Sequence, residues 1–283
     1  MMQVFKTKKN LKTFFKDSGS TDYKIGFVPT MGALHEGHLS LVAESKKNNT
    51  FTVVSIFVNP TQFDKTEDLE KYPRTLEEDL SLLKKAGCDV VFIPSVKEIY
   101  KDDVASEEFE FDGLEDQMEG AFRKGHFNGV GTIVKAFFEI IEPTRAYFGE
   151  KDFQQLQIVK KMVEKTGLPV SVIGCPTHRE ESGLAMSSRN KRLTEQQKKE
   201  ASIIYTTLNK VRENIHTASI PQLNEWVDIQ FKNNPIFELE YFNIAEESTL
   251  KNATVVEPNK TYRAFIAVFA GSVRLIDTLS LTS

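Results

Sequence analysis

Two histidines three residues apart, within Pro29-Thr-Met-Gly-Ala-Leu-His-Glu-Gly-His38, are the side chains of this sequence best placed for polar chemistry. The apolar run Ile25-Gly-Phe-Val28 precedes them and Leu39-Ser-Leu-Val-Ala-Glu-Ser45 follows. This pattern predicts a short buried strand, a glycine-bearing turn, and a helix whose first turn carries His35, Gly37 and His38. A helix N-terminus offers backbone N–H groups and the positive end of the helix dipole, which suits a phosphate. Residues three apart share a helix face, so both imidazoles can address one anion. Gly37 keeps the surface low enough for a phosphate to reach the backbone. Histidine can donate to a phosphoryl oxygen, and its charge responds to a nearby polyanion at neutral pH. The same pair could be ordinary turn residues or a zinc pair. Helical metal pairs favour a four-residue spacing, however, and no Glu or Cys cluster follows at ligand spacing. The strand–turn–helix context favours nucleotide binding.

Three further polar segments fall at the ends of predicted strands, where open α/β sheets place their ligands. Asn59-Pro-Thr-Gln-Phe63 offers neutral donors and acceptors suited to a hydroxyl or carboxylate, although alone it reads as an Asn/Pro turn. Gly149-Glu-Lys-Asp152 puts a lysine, a point charge for phosphates, ahead of Gln154 and Gln155. In isolation that is a solvated turn. Gly183-Leu-Ala-Met-Ser-Ser-Arg-Asn190 combines small hydroxyl residues with an arginine, a combination that can wrap a triphosphate. Arg123-Lys-Gly-His126 adds cationic capacity or is a plain charged loop.

The elements that must position these groups alternate. Strands are predicted at Phe51–Val58, Asp89–Ile93, Arg145–Phe148 and Pro169–Ile173, with helices at Thr75–Ala86, Val130–Ile141 and Phe153–Thr166 between them. This βαβα order predicts an α/β fold with a doubly wound parallel sheet. Lys101–Glu119 reads as an acidic excursion containing a strand. After Arg189 the character changes. A long helix is predicted from Thr194 towards Ile215 and another over Ile220–Phe231, then strands at Phe237–Ile244, Tyr262–Phe269 and Val273–Leu279. Helices followed by strands predict a smaller α+β domain with an antiparallel sheet. The expected domains are 1–177 and 178–283, the second opening with the Met186–Asn190 loop.

A net charge of −4 over 283 residues, with acids and bases interleaved, argues against general nucleic-acid binding. Cys88 and Cys175 lie in no metal-spaced cluster and sit beside apolar runs, so buried free thiols in a reducing compartment are expected. The first residues have no apolar core of a signal peptide, and no run approaches a membrane span. A soluble cytoplasmic protein without membrane contact is expected.

The strings PTMGALHEGH, SIFVNPTQF, KYPRT, FNGV, YFGEKDFQQL and GLAMSSRN, in order from residue 29 to 190, resemble the pantoate–β-alanine ligase family. That family belongs to the nucleotidylyltransferase superfamily of Rossmann-like folds, of which His-x-Gly-His alone marks only the superfamily. The resemblance implies an ATP-dependent ligation of pantoate and β-alanine through a pantoyl adenylate, with release of pyrophosphate and AMP. It implies magnesium accompanying ATP and a homodimer. Residue by residue, Met31, Gly32, His35, Gly37 and His38 match the ATP-binding stretch, with His38 at the proton-donor position. Gly149, Glu150, Lys151, Asp152, Met186, Ser187, Ser188 and Arg189 match further ATP contacts, His35 and Lys151 being catalytic candidates with His38. Gln62 matches a residue shared by both small substrates, and Gln155 a second pantoate contact. Asn59 joins them as a substrate-binding candidate. His178 falls where the family contacts ATP through its main chain. Asp79, on the helix after KYPRT, is a candidate magnesium ligand or plain helix surface beside Glu77 and Glu78. No nucleophilic Cys or Ser with a base partner is present or required, because a carboxylate substrate is itself the nucleophile. Two rivals remain. A nucleotidyltransferase acting on a phosphorylated alcohol would need basic residues where Asn59 and Gln62 stand, and a non-catalytic nucleotide sensor would have lost some of the phosphate-binding set.

Overall fold

The computed structural model describes residues 1–17, 23–63 and 66–282. By contacts the chain forms two compact units, Met1–Gly149 with Gln154–Cys175, and Glu150–Phe153 with Pro176–Ser283. Residues 150–153, which the sequence assigns to the first domain, therefore pack with the second unit.

The first unit is a six-stranded, all-parallel sheet in the order β1-β4-β3-β2-β5-β6. Its elements are β1 Gln3–Phe5, α1 Lys8–Asp17, β2 Ile25–Thr30, α2 Glu36–Asn48, β3 Phe51–Ile56, α3 Thr66–Glu70, α4 Leu76–Lys85, β4 Val90–Phe92, α5 Val96–Tyr100, α6 Met118–Phe122, α7 His126–Ile141, β5 Arg145–Gly149, α8 Phe153–Thr166 and β6 Ser171–Cys175. The central strands are apolar runs buried on both faces, as parallel sheets covered by helices require. β2 pairs with β3 on one side and β5 on the other, so strand order reverses beside it. The carboxyl end of such a strand is where doubly wound sheets bind ligands. α7 is buried almost all round and ends at Glu142, whose φ of 51° precedes Pro143. Both cysteines are buried, and burial pushes the Cys88 thiol up to about 12.

The strand expected within Lys101–Glu119 does not form. Backbone donors there are satisfied by side chains of α7 instead of a neighbouring strand: Glu107 N–H by Thr132 Oγ1 at 2.8 Å and Phe109 N–H by Asn128 Oδ1 at 3.2 Å. β1 went unpredicted because a three-residue strand leaves no readable alternation, whereas α1 carries a helical pattern, with Leu11 and Phe15 on its buried face, that motif reading passed over.

The second unit packs α9 Glu195–Glu200, α10 Ser202–Asn214 and α11 Ile220–Lys232 with an antiparallel sheet of β7 Phe237–Glu246, β8 Tyr262–Ala270 and β9 Val273–Ser280. Thr194 with Gln197, and Ser219 with Gln222, form reciprocal capping boxes that start α9 and α11. The single helix predicted from Thr194 to Ile215 is broken at Ala201, whose carbonyl accepts from Ile204 N–H three residues on. The α9 segment EQQKKE has no apolar residue, so no periodicity marks where it ends and α10 begins.

Candidate active site

In the first unit, the loop after β2 is shaped by two consecutive positive φ angles, 82° at Gly32 and 51° at Ala33. A Cβ at Gly32 would lie 3.0 Å from Asp79 Oδ2, so glycine is required for both conformation and space. Asp79 holds this loop. It is 1 % exposed, with Oδ2 accepting from Ala33 N–H at 3.0 Å and Oδ1 from Leu34 N–H at 2.8 Å. Thr75 Oγ1 donates to both oxygens at 3.3 Å. The carboxylate is thus directed at the loop backbone, buried and not on the helix surface. Among the described residues no group of three His, Cys, Asp or Glu could hold a metal.

His35 is the N-cap of α2, and its Nδ1 accepts from Gly37 N–H at 3.2 Å, while His38 Nδ1 accepts from His35 N–H at 3.3 Å. Each neutral ring that accepts at Nδ1 carries its proton at Nε2. The two rings lie 4.0 Å apart between centroids, tilted by 34°. The cap therefore fixes the ring orientation and tautomer that an Nε2–H donor to a phosphoryl oxygen needs.

After β3, Pro60–Gln62 forms a single 3₁₀ turn. Gln62 is half-buried, its Nε2 directed at Met31 Sδ at 3.2 Å and its Oε1 accepting from Asn59 Nδ2 at 3.2 Å. Asn59 is 1 % exposed: Nδ2 also donates to the Gly129 carbonyl at 3.0 Å, and Oδ1 accepts from Tyr100 Oη at 2.5 Å. Its amide is thus paired within the protein at both ends, and the contacts give it the task of holding the Gln62 turn. The Gln62 carbonyl accepts from His126 Nδ1 at 2.9 Å and Arg123 Nη2 at 3.3 Å. The Arg123–His126 segment, read as cationic capacity, is therefore a brace for this turn. Burial raises the Tyr100 hydroxyl above its ordinary pKa, opposed by its bonds to Thr61 and Asn59. Of the adjacent glutamines, Gln154 is buried and bonded to the Leu114 and Gln117 carbonyls at 2.8 and 2.7 Å, whereas half-buried Gln155 makes no hydrogen bond among the described residues.

In the second unit, residues 178–186 form a tight hairpin, closed by an Arg179–Ala185 bridge and by Met186 N–H donating to the His178 carbonyl at 3.0 Å. The His178 side chain is exposed. Ser187 caps the following turn, Ser188–Arg192, accepting from Arg189 N–H at 3.3 Å. Lys151, Ser187 and Arg189 line one small cavity with Asn190 and Asp277. At about 10 Å³ it has room for about one water. Lys151 Nζ lies 3.4 Å from Asp152 Oδ1. The structure thus brings Lys151, Ser187 and Arg189 together in the second unit, and His35 with His38, and Met31 with Gln62, in the first. Asp79, Tyr100, Arg123 and His126 are the supporting residues that motif reading passed over or assigned differently. The four-residue step from Asp79 to buried Leu83, which puts both on the inner face of α4, is the one sequence signal for the first of them.

The family model described as pantoate-β-alanine ligase matches residues 3–280. A pantothenate synthetase of Christiangramia forsetii is 54 % identical over 283 residues, covering all of both chains. One from Flavobacterium psychrophilum is 52 % identical over 281 residues, covering 99 % of this chain and all of its own. The pantothenate synthetase structure from Thermus thermophilus superposes with a TM-score of 0.91 at 40 % identity, each chain fully covered. The pantoate-β-alanine ligase of Francisella tularensis, complexed with β-γ ATP and β-alanine, superposes with a TM-score of 0.80 at 35 % identity, covering 100 % of this chain and 99 % of its own. With a matching family model along nearly its whole length and relatives above half identity end to end, the chain belongs to the pantoate–β-alanine ligase family.

Proposed function

We propose that the chain joins pantoate to β-alanine in two steps, with the residues above divided between phosphate and small-substrate recognition. A pantoate carboxylate oxygen attacks the α-phosphorus of ATP, the bond to the bridging oxygen breaks, and pyrophosphate leaves. The β-alanine amine then attacks the acyl carbon of the adenylate and loses a proton, and AMP departs to give pantothenate. No enzyme nucleophile is needed, and the buried Cys88 thiol is unsuited to be one. The protein's task is positioning and charge stabilisation.

The observation that carries this assignment is that Lys151, Ser187 and Arg189 line one cavity, which places a lysine, a serine and an arginine, residue types suited to phosphoryl oxygens, at a single site. His35 and His38 supply Nε2–H donors, and Gln62 and Gln155 the neutral carboxamides for pantoate and β-alanine. The family resemblance assigns ATP contacts to Met31, Gly32, Gly37 and Gly149 in the first unit, and to Glu150, Lys151, Asp152, Met186, Ser188 and the His178 main chain in the second. Magnesium enters as MgATP, since this cation is commonly held through substrate phosphates and water with few carboxylates. The family resemblance supports a homodimer, which sedimentation would test. The two buried thiols support a reducing, cytoplasmic compartment.

Isotope exchange between pyrophosphate and ATP tests the reading. Exchange is expected to require pantoate and magnesium but no β-alanine. Absence of exchange under these conditions, with activity on CTP and a phosphorylated alcohol instead, would move the site to the nucleotidyltransferase rival.

The turn bearing Gln62 depends on the close approach of α7. A Cβ at Gly129 would fall 2.4 Å from the Thr61 carbonyl oxygen and 2.8 Å from Gln62 N. Gly129→Ala is therefore expected to cost about 1–3 kcal/mol of stability by overpacking. It should also raise the KM for pantoate more than that for ATP. An unchanged melting temperature together with an unchanged pantoate KM would refute this packing argument.

A further inference from the structure

β8 reads Tyr-Arg-Ala-Phe-Ile-Ala-Val-Phe-Ala, with one charge in an apolar, buried strand. The Arg263 side chain is only 6 % exposed, and three of its nitrogens are engaged. Nη2 donates to Glu150 Oε2 at 3.1 Å, Nε to Glu247 Oε1 at 2.9 Å and Nη1 to Thr278 Oγ1 at 3.0 Å. The guanidinium carbon also lies 3.9 Å from the Phe153 ring centroid. Glu150 and Phe153 bracket Lys151 in sequence, so Arg263 holds the chain on both sides of that lysine.

The neighbouring dipeptide on β9 makes a second attachment. Asp277 Oδ2 and Oδ1 accept from Arg179 Nη1 and Nη2 at 2.6 and 3.0 Å, and the Thr278 carbonyl accepts from Nη2 at 3.4 Å. Arg179 Nη1 also donates to the Gly183 carbonyl at 3.1 Å, and its guanidinium carbon lies 3.9 Å from the Tyr205 ring centroid. One dipeptide thus meets two arginines, one tied to the Lys151 segment and the other to the hairpin that leads into Ser187 and Arg189. Apolar residues often replace buried ion pairs without loss of stability, so stability alone gives little reason for such a cluster.

We propose that Arg263 and the Asp277-Thr278 dipeptide are positioning residues that set Lys151 against the loop bearing Ser187 and Arg189. This rests on the reading of Lys151 as a phosphate-binding residue. None of the three need touch substrate: they act by fixing the backbone on either side of groups that do.

A double-mutant cycle on pantoate-dependent pyrophosphate–ATP exchange tests the proposal, using full-length protein checked for folding by circular dichroism. Arg263→Met is expected to lower the kcat of exchange by about tenfold with the ATP KM changed less than about twofold, the pattern of an interaction used in the transition state. In a Lys151→Ala background the same substitution should cost less than about twofold, because coupled residues are not additive. Arg263→Lys should recover part of the loss by keeping a charge opposite Glu150 without the planar fork. If Arg263→Met does not fold, Thr278→Val, which removes only the hydroxyl that accepts from Arg263, enters the same cycle under the same criteria. An equal fold-loss in both backgrounds, or no loss when Lys151 is intact, overturns the positioning role. Undiminished exchange in Lys151→Ala alone overturns the phosphate role of Lys151 and the positioning with it, and that result needs no Arg263 variant.

Discussion

His38→Ala and Lys151→Ala should each lower pantoate-dependent adenylate formation by about a hundredfold or more, the scale seen when one preorganised donor to a developing charge is removed. A hundredfold corresponds to about 2.7 kcal/mol of barrier. His38 also caps its helix, since its Nδ1 accepts from His35 N–H, and loss of a cap costs about 0.5–2 kcal/mol of stability. That cost changes the folded fraction of a well-folded enzyme very little, so a modest fall in melting temperature with a hundredfold fall in rate separates the two roles. Among the described residues Lys151 pairs with its neighbour Asp152, and its loss should leave the melting temperature near that of the parent. Charge develops on the α-phosphate and leaving pyrophosphate in the first step. Conversion of preformed pantoyl adenylate with β-alanine should accordingly be less affected by either substitution. Intact adenylate formation in a folded His38→Ala protein would shift the role to His35, the other imidazole of the pair.

Of these two candidates, His38 lies in a short string whose chemistry is local, whereas the turn bearing Lys151 reads alone as solvated and is marked by the family resemblance. An apolar strand, a glycine turn and paired histidines announce a phosphate-binding helix start without knowledge of the rest of the chain. The supporting residues are not of that kind. Asp79 stands beside Glu77 and Glu78 and looks like helix surface, yet it is buried against backbone N–H groups more than forty positions earlier. Asn59 presents as a binding residue because Asn and Gln in its turn offer neutral donors and acceptors. Only the tertiary contacts with Tyr100 and Gly129 show that its amide is already paired. Arg263 did leave a trace, as a lone charge in an apolar strand, but its partners Glu150 and Thr278 lie on other elements. The strand expected within Lys101–Glu119 failed for a related reason, since backbone donors there have side-chain partners on α7. Regular elements follow from periodicity in one stretch of chain, whereas the residues that aim a site depend on contacts that periodicity does not encode.

Gln62→Ala should weaken use of pantoate by about 10- to 100-fold in kcat/KM, the equivalent of about 1–3 kcal/mol for a polar partner left unsatisfied. The local structure makes this a clean deletion. The turn is held through the Gln62 main-chain carbonyl by His126 and Arg123, and through Asn59, so the backbone keeps its support when the carboxamide is removed. Within the protein the side chain gives up only its contacts with Asn59 Nδ2 and Met31 Sδ, both at 3.2 Å. The ATP KM should therefore change by less than about twofold, because uniform binding of one substrate has been removed without touching the groups assigned to the other. Gln62→Glu sharpens the test. It preserves size but places a carboxylate beside a carboxylate substrate, and like charges in a partly buried site repel. It should thus impair pantoate use at least as much as the alanine variant does. If ATP affinity collapses in either variant while the pantoate constant stays put, the turn after β3 serves the nucleotide and the small substrate binds elsewhere.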